Sequence, residues 1–165
     1  MELFDAIAAR HSCRAYADKP ATREQLEKIV AAGRLAPTAL NVQPWEMVVV
    51  IDAERRRALV DLVPNGKFIA SPGVACIALF SKDTKYYLED CCGAVTTMLL
   101  AATGLGLDTC WVAGDKKVYV DAVGALLGAP TGMKLVALIA VGHADGKVDI
   151  APKRALEEVI HWERF

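Results

Sequence analysis

The sequence predicts an α+β protein in which a small, mostly antiparallel sheet packs against helices. Short β-rich apolar runs mix with helical patterns, but they do not follow the regular strand–helix–strand rhythm of a parallel α/β fold. A segment at about 88–105 is apolar on all sides, and the run from Cys91 to Leu107 contains no charge, which is typical of a central buried helix. The chain length fits a single domain spanning 1–165.

Local signals place the elements of the first half of the chain. Thr22 followed by Gln25 is a capping-box pattern, which predicts the start of a helix. The apolar run 45–51 predicts a buried strand, and Asp52 is suited to cap the helix that follows. In that helix, the three consecutive arginines 55–57 are expected to form a solvated face.

The second half contains two more buried strands and the central helix. Pro72-Gly73 introduces a strand, and Gly128 closes a later helix. Gly104 and Gly106 end the central helix, and they are not a dinucleotide fingerprint because they follow a helix and lack the third glycine. The predicted elements are helices at 3–8, 22–33, 53–62, 88–105 and 118–127, strands or extended segments at 45–51, 74–80, 108–113 and 134–141, and a short final helix after Arg154.

Composition restricts the class of function. Apolar residues make up 54% of the chain, which is high for a monomer of this size and favours a buried subunit interface. The net charge of −1 gives no field that would attract nucleic acid or an anionic membrane, and glycine and threonine dilute the apolar run too much for a membrane span. An odd number of cysteines, without a Cys-x-x-Cys pair or a signal-peptide pattern, argues against a disulfide framework and a metal site and indicates the cytoplasm.

Residues 10–14, with the sequence Arg-His-Ser-Cys-Arg, form a basic cluster after the first helix. Arginine side chains present rigid forks of donors that match phosphate and carboxylate oxygens, so the cluster suits an anionic small molecule. A solvated helix end, in which basic side chains complement the helix dipole, explains the same composition. An enzyme that uses Cys13 with His11 is a further alternative, although side chains adjacent in sequence rarely face each other.

A second motif, residues 36–45 with the sequence Ala-Pro-Thr-Ala-Leu-Asn-Val-Gln-Pro-Trp, lies between a helix and a strand. Its two prolines fix an irregular loop. This loop and the Arg-x-Ser-x-Arg cluster together resemble the nitroreductase family of FMN-dependent oxidoreductases. The segment 104–114 is similar to the segment beside the flavin in that family, and 152–162 is similar to its C-terminal tail, so the resemblance extends nearly from end to end.

The resemblance implies a homodimer with the central helices at the interface and with FMN sites shared between the subunits. It implies Arg10 and Ser12 at the phosphate and ribityl side, and Arg14 at N1 and O2 of the ring, where negative charge grows on reduction. The complete set of implied cofactor-binding residues is Arg10, His11, Ser12, Arg14, Pro37, Thr38, Ala39, Asn41, Lys67, Ala113, Gly114, Lys153 and Arg154, with Arg14 and Gly114 in catalytic roles.

Several of these residues carry more specific expectations. The loop Pro37–Asn41 is expected to cover the ring from the other subunit, and the N–H groups of Ala113 and Gly114 are expected to face N5. One of the pair Lys153 and Arg154 is expected to join the phosphate, and the sequence leaves that choice open. His11 is interpreted as a packing or solvent-facing residue instead of a catalytic one.

The activity implied by the resemblance is transfer of hydride from NADH or NADPH through flavin N5 to a small acceptor, such as a nitroaromatic, a quinone or an enone. A flavin-binding sensor or carrier without NAD(P)H turnover is the alternative. Neither the acceptor nor the choice of nucleotide follows from the sequence. Only Ser81–Tyr87 separate the second strand from the central helix, which is too short for a helical lid, so the flavin face is expected to be open.

Overall fold

The computed structural model describes all 165 residues and confirms the α+β class. Apart from the short final helix, the predicted helices and strands begin and end within two residues of the observed ones. The α-helices are α1 (Leu3–Ala9), α2 (Arg23–Gly33), α3 (Ala53–Leu62), α4 (Tyr87–Gly104) and α5 (Val120–Leu127), the strands are β1 (Trp45–Val50), β2 (Ala75–Lys82), β3 (Asp108–Ala113) and β4 (Met133–Gly142), and short 3-10 segments occupy Ala39–Asn41, Pro64–Ala70 and Leu156–Glu158.

The four strands form one sheet in the order β1-β2-β4-β3, and every neighbouring pair is antiparallel. Successive side chains of a strand point to opposite faces, and both faces of the central strands are buried. In β2, Ile77 and Leu79 enter one core, whereas Ala78 and Phe80 enter the other. The sheet therefore separates two hydrophobic layers, and β1 and β3 are its open edges.

Helices α2 and α4 cover one face of the sheet. Leu26 and Ile29 of α2 and Met98 of α4 are buried in the same core. Gly33 permits this close packing, because an added Cβ would lie 2.6 Å from Met98 Cγ. The prediction of a central buried helix is confirmed for α4. Neither α4 nor any other helix combines the length and the hydropathy that a membrane crossing requires.

Helices α3 and α5 cover the other face, where Leu59 and Val123 are buried. The prediction of a solvated arginine face is wrong for Arg56, which is 6% exposed. Its guanidinium donates to the carbonyl oxygens of Ile69 and Ser71 at 2.9 and 2.7 Å, and burial lowers its pKa. Arg56 therefore ties α3 to the 3-10 segment that precedes β2.

Helix boundaries follow the local chemistry of the sequence. Thr22 and Gln25 form the reciprocal capping box that begins α2. The Asp52 carboxylate accepts from the Arg55 N–H at 2.8 Å and caps α3. The short final helix predicted after Arg154 is the single 3-10 turn Leu156–Glu158, and the side chains of the tail are largely exposed.

Candidate functional site

The basic loop 10–14 is attached to the open edge of the sheet. Ser12 forms a parallel bridge with Thr109 of β3, and the Cys13 N–H donates to the Thr109 carbonyl oxygen at 2.8 Å. This pairing holds the backbone, while the side chains of Ser12 and Arg14 are exposed. Neither Arg10 nor Arg14 forms an ion pair within the chain, so both guanidinium groups are available to an anion.

His11 is half-buried and lies against polar groups of its own chain. Its Nε2 lies 3.1 Å from Oδ1 of Asp108, and its Nδ1 lies 2.9 Å from the Ala9 carbonyl oxygen. The second oxygen of Asp108 accepts from the Ala144 N–H at 2.7 Å. Asp108 was not predicted as a site residue, and it connects the basic loop to the ends of β3 and β4.

A cavity of about 390 Å³ opens beside this loop. Arg14 and Ala113 both line it, so the fold brings together two residues that the sequence assigned to one site. No acidic residue is part of the lining. The other seven lining residues were not predicted as site residues. They are Asn65, Phe68, Cys110, Trp111, Val112, Lys117 and Tyr119.

The end of β3 presents one amide to the open edge and uses the next within the sheet. The Gly114 N–H donates to the Val136 carbonyl oxygen at 2.9 Å. Because backbone groups alternate in direction along an antiparallel pair, the preceding Ala113 N–H points away from β4. Gly114 is therefore not a free donor, in contrast to the prediction that both amides face the cofactor. Its role is close packing, since an added Cβ would lie 2.7 Å from Leu135 Cγ.

The loop that contains Pro37, Thr38, Ala39 and Asn41 does not line this cavity in its own chain. Side chains hold its shape: the Thr38 hydroxyl accepts from the Gln43 N–H at 3.2 Å, and the Asn41 side-chain oxygen accepts from the Gln43 side-chain amide at 3.0 Å. The Ala39 N–H donates to Asp90 of α4 at 2.9 Å.

The same loop contains backbone conformations that side chains rarely adopt. Leu40 and Asn41 have φ of 55°, and Gln43 has φ of 50°. A left-handed conformation is unfavourable for a residue with a Cβ, by about 1–2 kcal/mol. Leu40 is also 96% exposed. Strain and exposed apolar surface thus coincide at this loop, as is common at binding sites.

The remaining predicted residues lie apart from the cavity within this chain. Lys67 and Lys153 are exposed, and neither lines the cavity. Arg154 pairs with Glu158 of the tail, with its Nη2 donating to the Glu158 carbonyl oxygen at 2.6 Å. The chain therefore does not bring its own tail arginine to Arg10.

Cys13 lies inside the basic loop, but its environment disfavours nucleophilic chemistry. The side chain is fully buried, and its Sγ donates to the Ala15 carbonyl oxygen at 3.0 Å. Burial raises the pKa of the thiol. Reactive cysteines have a lowered pKa and some exposure, so the alternative of a cysteine-based enzyme is disfavoured.

Free guanidinium groups beside a cavity with aromatic walls define a binding site for an anionic small molecule with an apolar body. Comparison with known proteins identifies the chain more closely. The sequence model described as the Nitroreductase family matches residues 7–67 and 80–143. The chain belongs to the nitroreductase family.

Similar proteins agree with this assignment. A protein of Archaeoglobus fulgidus named "Putative NADH dehydrogenase/NAD(P)H nitroreductase" is 30% identical over 172 residues, which cover 99% of this chain and 99% of that protein. An "FMN reductase (NADPH)" of Bacillus subtilis is 26% identical over 178 residues, covering 93% of this chain and 71% of that protein. A crystal structure from Bacteroides thetaiotaomicron, under the same name as the archaeal protein, superimposes with a TM-score of 0.92 at 26% identity and covers 99% of this chain and 98% of that one. The predicted family and fold are confirmed.

Proposed function

We propose that this protein is an FMN-dependent oxidoreductase that takes hydride from NADH or NADPH and passes it to a small acceptor such as a nitroaromatic, a quinone or an enone. The observation that carries the proposal is the unpaired guanidinium of Arg14 in a cavity that has no acidic lining residue. When bound, FMN supplies the redox chemistry by accepting hydride at N5 and releasing the electrons to the acceptor.

The residues present fit this cofactor. The aromatic side chains of Phe68 and Trp111 contribute an apolar wall for a flat ring, and Arg14 contributes a positive charge to the lining of the cavity. The Ala113 N–H, on the open edge of β3, is the available main-chain donor. Arg10 and Ser12 lie on the adjacent loop and suit the phosphate and the ribityl chain, which agrees with the roles implied by the family resemblance.

Arg14 has a role in the chemistry beyond binding. A fixed cation at the pyrimidine edge of the ring stabilises the negative charge that develops there during reduction. The backbone that carries Arg14 is held because Ser12 and Cys13 anchor the loop to β3. No rearrangement of the backbone is then needed at the moment of hydride transfer.

The site is completed by a second copy of the chain. Apolar side chains of α1 are exposed, including Leu3 at 63% and Phe4 at 81%, and so is Leu40 at 96%. Covering them in a homodimer removes apolar surface from water and accounts for the strained loop. In this dimer, Pro37, Thr38, Ala39 and Asn41 of the partner subunit cover the ring, and obligate interfaces of this kind bury more than about 2,000 Å².

The same dimer gives roles to the basic residues that lie apart in one chain. Lys67 extends from the 3-10 segment that also carries the cavity residues Asn65 and Phe68. Lys153 or Arg154 of the exposed tail joins the phosphate.

All five cysteines are unpaired thiols, which supports a reducing, cytoplasmic location.

Access to the cavity is broad. Only Asp83–Tyr86 connect β2 to α4, which leaves no room for a helical lid over the site. An open face does not exclude bulky acceptors by shape, so quinones of different sizes are turned over at similar rates. Strong preference for small quinones, measured by steady-state kinetics, contradicts this part of the proposal.

The test is an anaerobic absorbance experiment on the purified, flavin-loaded protein. NADH or NADPH is expected to bleach the flavin band, and an added quinone is expected to restore it. A yellow protein whose flavin is not reduced by either nucleotide is a sensor or carrier, and this contradicts the oxidoreductase proposal. A protein that binds no FMN after reconstitution contradicts the cofactor assignment itself.

A further inference from the structure

A tight turn after β3 brings Tyr119 back to the cavity. The Lys117 N–H donates to the Gly114 carbonyl oxygen at 3.1 Å, and the Val120 N–H donates to the Lys117 carbonyl oxygen at 3.3 Å. Tyr119 then precedes α5, and its side chain lines the cavity together with Arg14. Its hydroxyl donates to the carbonyl oxygen of Ala113.

The Tyr119 hydroxyl remains a hydrogen-bond donor at neutral pH. The Tyr119 side chain is half-buried, and this burial raises its pKa above that of an ordinary tyrosine. The phenol therefore keeps its proton at neutral pH and is able to donate throughout the physiological range. A phenolate would repel the carbonyl oxygen and release the contact.

The peptide unit that joins Ala113 to Gly114 is held from both sides. On the open side, Tyr119 binds its carbonyl oxygen, and on the inner side its N–H donates to the Val136 carbonyl oxygen at 2.9 Å. A peptide unit is planar, so these two contacts together fix its rotation. The Ala113 N–H belongs to the preceding peptide unit, which shares the Ala113 Cα with this one, so fixing this unit limits how the Ala113 N–H turns. Of the Ala113 and Gly114 amides, it is the one that is free on the open edge.

From this geometry we infer that Tyr119 is a positioning residue for the bound cofactor: its hydroxyl holds the last peptide of β3 so that the Ala113 N–H is presented to the ring. The inference rests on the proposed FMN-dependent function and assigns a residue that the sequence motifs did not include. Arg14 contributes a positive charge to the same cavity, whereas Tyr119 fixes the orientation of the Ala113 N–H.

The test compares Tyr119→Phe with Tyr87→Phe. Both tyrosines hold the same turn, because the Tyr87 hydroxyl donates to the Asp115 carboxylate at 2.7 Å, but Tyr87 does not line the cavity. Loss of one hydrogen bond of ordinary strength is expected to raise the FMN dissociation constant of Tyr119→Phe about 2- to 12-fold and to shift the visible spectrum of the bound flavin. Tyr87→Phe is expected to change neither, and melting temperatures of both variants control for stability.

Equal weakening of FMN binding in the two variants means that stability of the turn is sufficient, and it overturns the inference. An unchanged dissociation constant and spectrum in Tyr119→Phe overturns it as well. Amide hydrogen exchange on the wild-type protein is independent of the variants: FMN is expected to slow exchange at Ala113, and an unaffected Ala113 contradicts the inference. Absence of FMN binding by the wild-type protein contradicts the proposed function, and the Tyr119 role with it.

Discussion

Two loops that the sequence assigns to the same site differ in how they are held. Loop 10–14 is paired with β3 through Ser12 and Cys13, and its charged side chains extend from a fixed backbone. Loop 37–43 has no such strand to pair with, contains three non-glycine residues in the left-handed region, and exposes Leu40 to solvent. The first loop is complete within one chain, whereas the second carries strain and apolar surface without a cover.

In the proposed homodimer, this difference means that the two halves of the site come from different copies of the chain. The half built by loop 10–14 and β3 contains the groups that meet charge, and it requires only its own sheet. In that proposal, the half built by loop 37–43 gains stability when the partner subunit covers its apolar surface. Substitutions in the first half should therefore change chemistry and cofactor retention, and those in the second half should change association.

Arg14→Ala is expected to have the largest effect. Loss of one preorganised donor to developing charge raises a barrier by about 2.7–4 kcal/mol, so flavin reduction by NADH should slow about 100- to 1,000-fold. Bound FMN should largely remain, since the proposal assigns the phosphate to Arg10, and Arg10→Ala is the matched variant that should instead lose cofactor. Stopped-flow measurement of flavin reduction and measurement of flavin content separate the two variants. An Arg14→Ala protein that loses flavin, but whose remaining flavin is reduced at the normal rate, contradicts the assigned roles.

Leu40→Asn tests the second loop. Asparagine tolerates the left-handed backbone, so the chain should fold, but burial of an apolar side chain worth about 1.5–3 kcal/mol is lost from each copy. The dimer dissociation constant should rise about 10- to 150-fold per copy. Analytical ultracentrifugation measures it, with Val118→Asn as control because Val118 is 103% exposed and lies outside this loop. An equal rise of the dimer dissociation constant in both variants would contradict a specific role of loop 37–43 in association.

Asp90→Ala loosens the second loop from within the chain. Asp90 is 7% exposed and accepts from the Ala39 N–H at 2.9 Å. Its removal leaves that N–H without a partner, which should lower the free energy of unfolding by about 1–3 kcal/mol. Asp90→Asn keeps an acceptor oxygen and should lose less in urea denaturation. A larger loss in the Asn variant than in the Ala variant contradicts the acceptor role.

Asp108→Ala should have the smallest effect, on the first loop. It releases His11 and leaves the Ala144 N–H without its 2.7 Å acceptor, at a cost of about 1 kcal/mol in stability. FMN retention should fall modestly because loop 10–14 is less well fixed. Asp149→Ala, at an exposed position of the tail region, is the control for a change of charge alone. Identical flavin affinity in the two variants would show that Asp108 does not position the loop.

Most of the fold was predictable because its signals are local. The capping box of Thr22, the cap at Asp52 and the all-round apolar character of α4 each depend on neighbours a few residues away. Arg56 was mispredicted because its partners, the carbonyl groups of Ile69 and Ser71, lie far along the chain. The one sequence signal for its burial is that Arg56 lies three residues before Leu59, which is buried, so that both residues share one face of α3.

The candidate site was predictable only where a motif carried it. Arg14 and Ala113 were found through family-like segments, and the fold brings them to one cavity. Tyr119 and Asp108 were missed because their roles come from a turn geometry and from contacts between elements, which no single segment encodes. The Gly114 amide was misassigned because strand register decides which N–H groups face outward, and register is a property of the assembled sheet.

The close packing of Gly114 also governs how this family member can change. Position 114 is closed to any side chain, because a Cβ there would meet both the side chain and the backbone of Leu135. The neighbouring Ala113 is exposed on the cavity, as is Lys117, and neither is held by packing. Substitutions selected for new acceptors are therefore tolerated at 113 and 117, which lie one and three residues from position 114, where no side chain fits. A directed-evolution library should be enriched for substitutions at those two positions and should recover glycine at 114.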